Sequence, residues 1–401
     1  MGNPIIHARG PSVRVVASAS TWIEGKALDQ LDRVSKLPGM RLSVGMPDLH
    51  PGVASPVGAA FLAEGVIHPD LVGSDIGCGM ALWTTDLDPA SRKARPERLA
   101  GRLDGLDRSW EGDTTAWLAE RGLTPTTHDH SLGTPGRGNH FIELLKLHAV
   151  AEPASFAALG LSADRLAVLV HTGSRGLGEA VLRAHVSAHG HGGVAETDAA
   201  ARSYLAAHDT AMRWAEANRD LCAHRAFDAI GTTGGRVLDI CHNSVTADGC
   251  GCWLHRKGAA PADRGPVMIP GSRGDLSFLV RPIEGQDEAL RSLAHGAGRK
   301  IARHEAKAKL RPRYRREDLA RNPFGGHVVC GDEALLWEEA PDCYKDAAGV
   351  IADMVAAGLV AVIASFSPVA TFKTSATPQG PAPADWKRER RKARDAKERT
   401  R

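Results

Sequence analysis

The first regular pattern in the chain is Ala27, Leu28, Leu31, Val34 and Leu37, apolar positions at helical spacing that stop at Pro38-Gly39. They predict a helix over 24–37. Ahead of it, Val13, Val15 and Val16 lead to Trp22 and Ile23 and predict a strand and a turn over 12–23. A turn-rich loop with Asp48 and His50 is expected over 44–52, then short strands at 53–64, 66–72 and 80–85. Residues 89–122 read as helical with one charged face. Leu166-Ala-Val-Leu-Val170 is an unbroken apolar run, as in a strand buried on both faces. Residues 237–241 repeat that pattern, and a glycine loop from Ser131 continues as a strand at Phe141. A long helical section over 177–230 is interrupted at Gly190-His-Gly-Gly193. A helix is expected to open at His295-Gly-Ala-Gly-Arg299, an Ala-rich helix to cover 347–365, and a last strand to cover 369–373. The recurring arrangement is an apolar strand run ending in a polar glycine loop, which holds functional groups over a rigid sheet.

At 401 residues and 43% hydrophobic content the chain can bury a large core in one domain or two. The expectation is an α+β fold with one catalytic domain over 1–377. No apolar run approaches the roughly 18 residues of a membrane span. The start, Met1-Gly-Asn-Pro, lacks a basic-then-apolar export signal, so a cytoplasmic location is expected. Seven scattered cysteines suit reduced thiols better than a disulfide framework. Net charge is +3, but residues 381–401 alone carry nine Lys/Arg against four Asp/Glu. A basic, disordered tail is therefore expected over 378–401, either merely solvated or in contact with a polyanion.

Asp75 stands three residues before Cys78 in a segment broken by Gly73, Gly77 and Gly79. A carboxylate is a hard oxygen ligand, a thiolate is a soft one that can bridge two metals, and glycines let the backbone aim both. Alone, the pair is as easily a turn with a buried cysteine. The weight comes from His140, His171 and His242, each beside a hydrophobic strand run. One carboxylate, one thiolate and three imidazoles suffice for one closed metal site or two open ones. A competing small zinc site can be drawn from Cys241, Cys250, Cys252 and His255. In His295-Gly-Ala-Gly-Arg299 the glycines admit a phosphate to the backbone, Arg299 can clamp it, and the histidine can be a covalent nucleophile. The alternative is an ordinary capping histidine. No P-loop motif is present.

Taken in order, Met46-Pro-Asp-Leu-His50, Asp75-Ile-Gly-Cys78, Gly138-Asn-His-Phe-Ile-Glu143, His171-Thr-Gly-Ser-Arg-Gly176, His242-Asn243, His255-Arg-Lys-Gly258, Pro270-Gly-Ser272 and His295-Gly-Ala-Gly-Arg299 resemble the RtcB RNA ligases. The resemblance covers roughly 40–375. It implies two Mn²⁺ ions and GTP as cofactors. The implied reaction joins RNA ending in a 2′,3′-cyclic phosphate or 3′-phosphate to RNA with a 5′-hydroxyl, in RNA repair or tRNA splicing. Cys78 matches the bridging thiolate, Asp75 and His140 one metal site, His171 and His242 the other, and His295 the histidine that takes GMP. Asn139, Glu143, Ser272, Ser277, Tyr344 and Lys373 match guanylate-pocket positions. Arg175, Lys257, Arg299 and Arg303 match RNA-phosphate contacts. Ala302 and Arg273 depart from the usual Ser and Met, and the basic stretch 311–321 and the tail lie outside the usual pattern. An enzyme that only caps RNA 3′ ends, a noncatalytic RNA-binding member, and dependence on a helper protein all stay open.

Overall fold

The computed structural model describes residues 6–375. One sheet runs, in spatial order, Ile6–Gly10, Val13–Val16, Met40–His50, Val57–Glu64, Cys252–Lys257, Asn243–Ala247. The other runs Arg236–Cys241, Gly79–Thr84, Ala167–Thr172, Phe141–Val150, Val360–Thr374, Ser277–Pro282, Val267–Ile269. His327–Cys330 joins it as a parallel partner of Val360–Thr374.

Side chains alternate along a strand, and that period sorts the layers. Met80, Leu82, Leu169 and Phe366 of the larger sheet meet Val44, Met46, Ala60 and Leu254 of the smaller one in the main core. Their neighbours Ala81, Trp83, Val168 and Val170 face the other way, onto the helices Pro96–Leu103 and Ala199–Ile230. The helix Gly25–Val34 lays Ala27, Leu31 and Val34 on Val13, Val15 and Phe61, covering the outer face of the smaller sheet. The order is helix, sheet, sheet, helix, an α+β fold. Each fully buried Leu, Val or Phe in these layers contributes roughly 1.5–3 kcal/mol. The same alternation puts His171 on the inner face with Ala167 and Leu169, and Glu143 on the inner face with Phe141 and Leu145.

The 32-residue helix Ala199–Ile230 does more than cover a sheet. Asn218, fully buried, accepts from Gly133 N–H (2.7 Å) and donates to Gly173 O (3.2 Å). Arg219 Nε donates to both oxygens of Asp239 (2.8 and 2.9 Å), and its Nη1 donates to Gly77 O (2.6 Å) and Thr172 O (3.0 Å). Two polar side chains on one helical turn thus brace three loops: 73–78, 131–139 and 173–175.

Several expectations need correction. The 347–365 helix ends at Ala356, and Val360–Thr374 is a 15-residue strand. Gly358 takes a left-handed φ of 70° and ends the helix, after which Val360, Val362 and Ile363 enter the sheet. Residues 69–72 form a helical turn opened by Pro69 and not a strand. Asp48 and His50 lie at the end of the strand Met40–His50, whose pairing register slips between Gly45 and His50. No helix opens at His295: the strand Ser292–Ala294 gives way to an irregular segment, and the next helix is Arg303–Leu310. Gly298 explains this, because its φ is 71° and a side chain there would run into the Asp48 carbonyl. The region 89–122 holds only short helices, Pro96–Leu103 and Thr114–Ala119. The break in 177–230 is real, between Gly176–His189 and Ala199–Ile230. Among the described residues no helix is long and apolar enough to cross a membrane. The tail over 378–401 lies outside the described residues.

Candidate active site

Strand ends of the larger sheet and the braced 73–78 loop converge on one cleft. Gly77, at φ 75°, packs against Ala215 of the long helix, where a side chain would not fit. The turn delivers Cys78, whose Sγ lies 3.3 Å from His140 Nε2 and 3.2 Å from His171 Nε2. Asp75 Oδ2 reaches His140 Nε2 at 2.9 Å. Each histidine has its other nitrogen engaged by a backbone carbonyl, His140 Nδ1 by Pro135 O (3.0 Å) and His171 Nδ1 by Asn139 O (3.1 Å). A carbonyl only accepts, so each Nδ1 donates to it, and each Nε2 is turned toward the sulfur, with His140 Nε2 also facing the Asp75 carboxylate. That is how proteins orient imidazoles toward a metal. Cys78, His140 and His171 form the one metal-type cluster found among the described residues. His242 extends the row, its ring 5.2 Å from His171 and 4.7 Å from His295.

The electrostatics agree with a cation site. Burial, then the neighbouring imidazoles, push His171 and His242 well below the ordinary histidine value. Burial and then Asp75 push the Cys78 thiol well up. Burial opposes charge on Asp75, yet its carboxyl lies below the usual range because His140, then Cys78 and Arg175, outweigh it. Imidazole nitrogens, a carboxylate and a thiol turned toward one point can accept a divalent ion, which would displace the thiol proton. The donor set therefore fits a metal.

The cleft has a volume of about 790 Å³, within the range of small-molecule sites. Asp75, Cys78, His171, His242, Asn139, Glu143, Ser272, Tyr344, Lys373, His295, Lys257, Arg299 and Arg303 all line it. His140, Ser277 and Arg175 do not line it, and the Arg175 guanidinium lies against Gly136. At one end, buried Glu339 gathers four groups. Arg299 Nη1 lies at 3.0 Å, Arg303 Nε at 3.5 Å and Lys373 Nζ at 3.6 Å, and the Tyr344 hydroxyl donates to the same carboxylate. Burial opposes its charge, but Lys373, Arg299 and Arg303 hold its carboxyl below the usual range. Nearby Glu143 accepts from Thr371 Oγ1 (2.5 Å), and burial pushes its carboxyl up to about 7 against that bond and Lys373. Lys257, pushed down to about 8 by burial, donates to Ser55 Oγ (3.0 Å).

His295 carries its Nδ1 2.7 Å from Oδ2 of fully buried Asp48, and its backbone N–H reaches the same oxygen at 3.3 Å. His50 stacks on it at 6.5 Å between ring centroids. The role of Asp48 and the hub at Glu339 escaped the sequence reading. Asp48 stood in a quoted motif, but nothing local tied it to a histidine far along the chain. The competing zinc site does not assemble. Cys252 and His255 point to opposite faces of one strand, and His255 Nε2 accepts the His68 N–H at 2.9 Å.

A helix–sheet–sheet–helix protein with a buried imidazole–thiol cluster opening into a cleft of about 790 Å³ is the class these observations define. The chain belongs to the RtcB family: the family described as tRNA-splicing ligase RtcB matches residues 30–116 and 107–374. It is 45% identical over 376 residues to RNA-splicing ligase RtcB2 of Escherichia coli, covering 92% of this chain and 97% of that protein. It is 31% identical to RNA-splicing ligase RtcB of Mycobacterium tuberculosis, over 86% of this chain and all of that one. The tRNA-splicing ligase RtcB of Archaeoglobus fulgidus is 29% identical, over 88% of this chain and 92% of its own.

Proposed function

We propose that this chain is a GTP- and Mn²⁺-dependent RNA ligase. It joins 2′,3′-cyclic phosphate or 3′-phosphate ends to 5′-hydroxyl ends through GMP carried on His295, in RNA repair or tRNA splicing. The observation that carries the reading is His295 Nδ1 against the Asp48 carboxylate at 2.7 Å, in the cleft that also holds Cys78 and His171. A carboxylate at Nδ1 favours the proton there and leaves Nε2 as the nucleophile.

Nε2 attacks the α-phosphorus of GTP. The N–P bond forms, the bond to the bridging oxygen breaks, and pyrophosphate leaves. The ring keeps its Nδ1 proton, and Asp48 faces the positive charge that results. A 2′,3′-cyclic phosphate end is first opened by water to the 3′-phosphate. GMP then passes to an oxygen of that phosphate, the new O–P bond forming as the N–P bond breaks, and the 5′-hydroxyl, giving up its proton, attacks the RNA phosphorus and displaces GMP as the new diester forms. Asp75, Cys78 and His140 would hold one manganese, and Cys78, His171 and His242 the other. Bound ions supply Lewis-acid polarisation of phosphoryl oxygens. Asn139, Glu143, Ser272, Ser277, Tyr344 and Lys373 would receive the guanylate, and Arg175, Lys257, Arg299 and Arg303 the RNA phosphates. Arg299 already binds Glu339, Tyr344 OH (3.1 Å) and Glu338 O (2.7 Å) through its terminal nitrogens, while its Nε has no hydrogen-bond partner.

The test is GTP labelled at the α-phosphate with Mn²⁺, followed by RNA of defined ends. The label is expected on His295, in an acid-labile, alkali-stable bond, and chased into joined RNA. His295→Ala should bind Mn²⁺, take no label and join nothing, yet still seal RNA that already carries a 3′-guanylate. Label on Lys257 or Lys373, with His295→Ala labelled as strongly, would sink the reading. Transfer to RNA without joining would mark a capping enzyme.

A further inference from the structure

We propose that Lys345 is a positioning residue that pins the backbone on both sides of Asp48 and so holds the Asp48 carboxylate beside His295. This rests on the reading of His295 as the group that takes GMP.

Lys345 is buried, and its Nζ donates to Pro47 O and to Leu49 O, each at 2.9 Å. One ammonium therefore pins the carbonyls on both sides of Asp48. The Lys345 backbone N–H donates to Gly298 O at 2.9 Å, three residues beyond His295. Gly298 closes the junction, since its left-handed backbone lies where any side chain would meet the Asp48 carbonyl. Three segments distant in sequence, 47–49, 295–298 and 345, thus meet at the contact between Asp48 and His295. The need for such a brace is visible in the strand itself, because the regular pairing of Met40–His50 lapses between Gly45 and His50. Without a ladder there, the two carbonyls need another donor. Burial pushes Lys345 down to about 8, and Asp48 and then Asp353 hold it up. The ammonium gives these hydrogen bonds to carbonyls, so its effect on Asp48 is to fix the backbone that aims the carboxylate.

A misplaced reacting group commonly costs on the order of a hundredfold in rate. Lys345→Met should slow guanylylation of His295 at saturating GTP by about ten- to a hundredfold, with the GTP concentration for half-maximal rate unchanged. Lys345→Arg should recover part of the rate. Joining of RNA that already carries a 3′-guanylate should survive, because it bypasses His295. Adding Lys345→Met to Asp48→Asn should cost nothing further, since a residue acting through Asp48 has no effect once that carboxylate is gone. A crystal structure of Lys345→Met should find Asp48 displaced from His295. Lys345→Gln serves the same tests if the Met variant does not fold. A wild-type guanylylation rate, additive losses with Asp48→Asn, or an unmoved Asp48 would overturn the proposal. If the wild type takes no GMP on His295, the reaction assignment falls, and the position of Asp48 in Lys345→Met still decides the role of Lys345.

Discussion

Replacing Arg219 with methionine tests whether the long helix holds the candidate metal loop in place. The Arg219 and Asp239 side chains are 3% and 7% exposed, and the guanidinium makes four hydrogen bonds, two to Asp239 and one each to Gly77 O and Thr172 O. Methionine fills much of the same volume but leaves a buried carboxylate and two carbonyls without a donor. Breaking one side of a buried ion pair costs about 3–5 kcal/mol. For a protein of this size the melting temperature should fall on the order of 5 °C or more. The loss should depend on pH. In the wild type burial raises the Asp239 carboxyl and Arg219 pulls it back, with burial the larger effect. With Arg219 gone, only the more distant Arg236 still opposes burial, and the folded-state value climbs further above the unfolded one. A raised acid favours the protonated folded state, so the deficit is smallest in acid. It grows as pH rises from the wild type's already raised folded-state value toward the variant's higher one, then levels off. Denaturant unfolding of both proteins at about pH 5 and about pH 8 reads this directly. Adding Asp239→Leu should return part of the stability, because the orphaned charge is removed. Equal stability at the higher pH, or a deficit independent of pH, would refute the reasoning. Because Gly77 belongs to the 73–78 loop, Mn²⁺ bound per chain should fall together with stability.

Cys78→Ala should keep the fold and lose bound Mn²⁺ and all GMP transfer, and unchanged metal content by elemental analysis would reject the bridging role. The Glu143 carboxyl is pushed up to about 7, so its ionised fraction rises through neutrality. If the carboxylate accepts guanine N–H groups, GTP affinity should increase as pH rises through about 7, and Glu143→Gln should bind weakly with that dependence flattened. Calorimetric titrations across this range that run parallel for both proteins would remove Glu143 from the pocket. Removing residues 379–401 takes away most of the basic tail and should weaken RNA binding and lower its salt slope while leaving chemistry at saturating RNA intact. Identical slopes for both lengths would mean that the tail does not touch RNA.

The sequence by itself determined the chemistry-bearing residue types and much of where strands end. An apolar run such as Val168-Leu-Val170 must be buried, so the polar residues after it, His171 and Thr172, fall at the rim of a sheet. Glycines at 73, 77 and 79 marked a bend that could aim Asp75 and Cys78. Those signals are local, and local signals survive in one dimension. The misreadings were also physical. Ala347 to Ser365 is rich in alanine and looks helical throughout, but from Val360 onward it pairs with strands contributed by Phe141–Val150 and Ser277–Pro282. Pairing with partners that distant overrides propensity. The two glycines after His295 suggested a helix start because the Asp48 carbonyl that occupies the space beside Gly298 comes from elsewhere in the chain. Only the tertiary structure could set Asp48 on His295, Lys345 under Asp48, Arg219 on Gly77 and Glu339 among Arg299, Arg303, Lys373 and Tyr344. None of these contacts follows from spacing, because each joins elements that meet only once the sheets have packed and the loops have been pinned from behind.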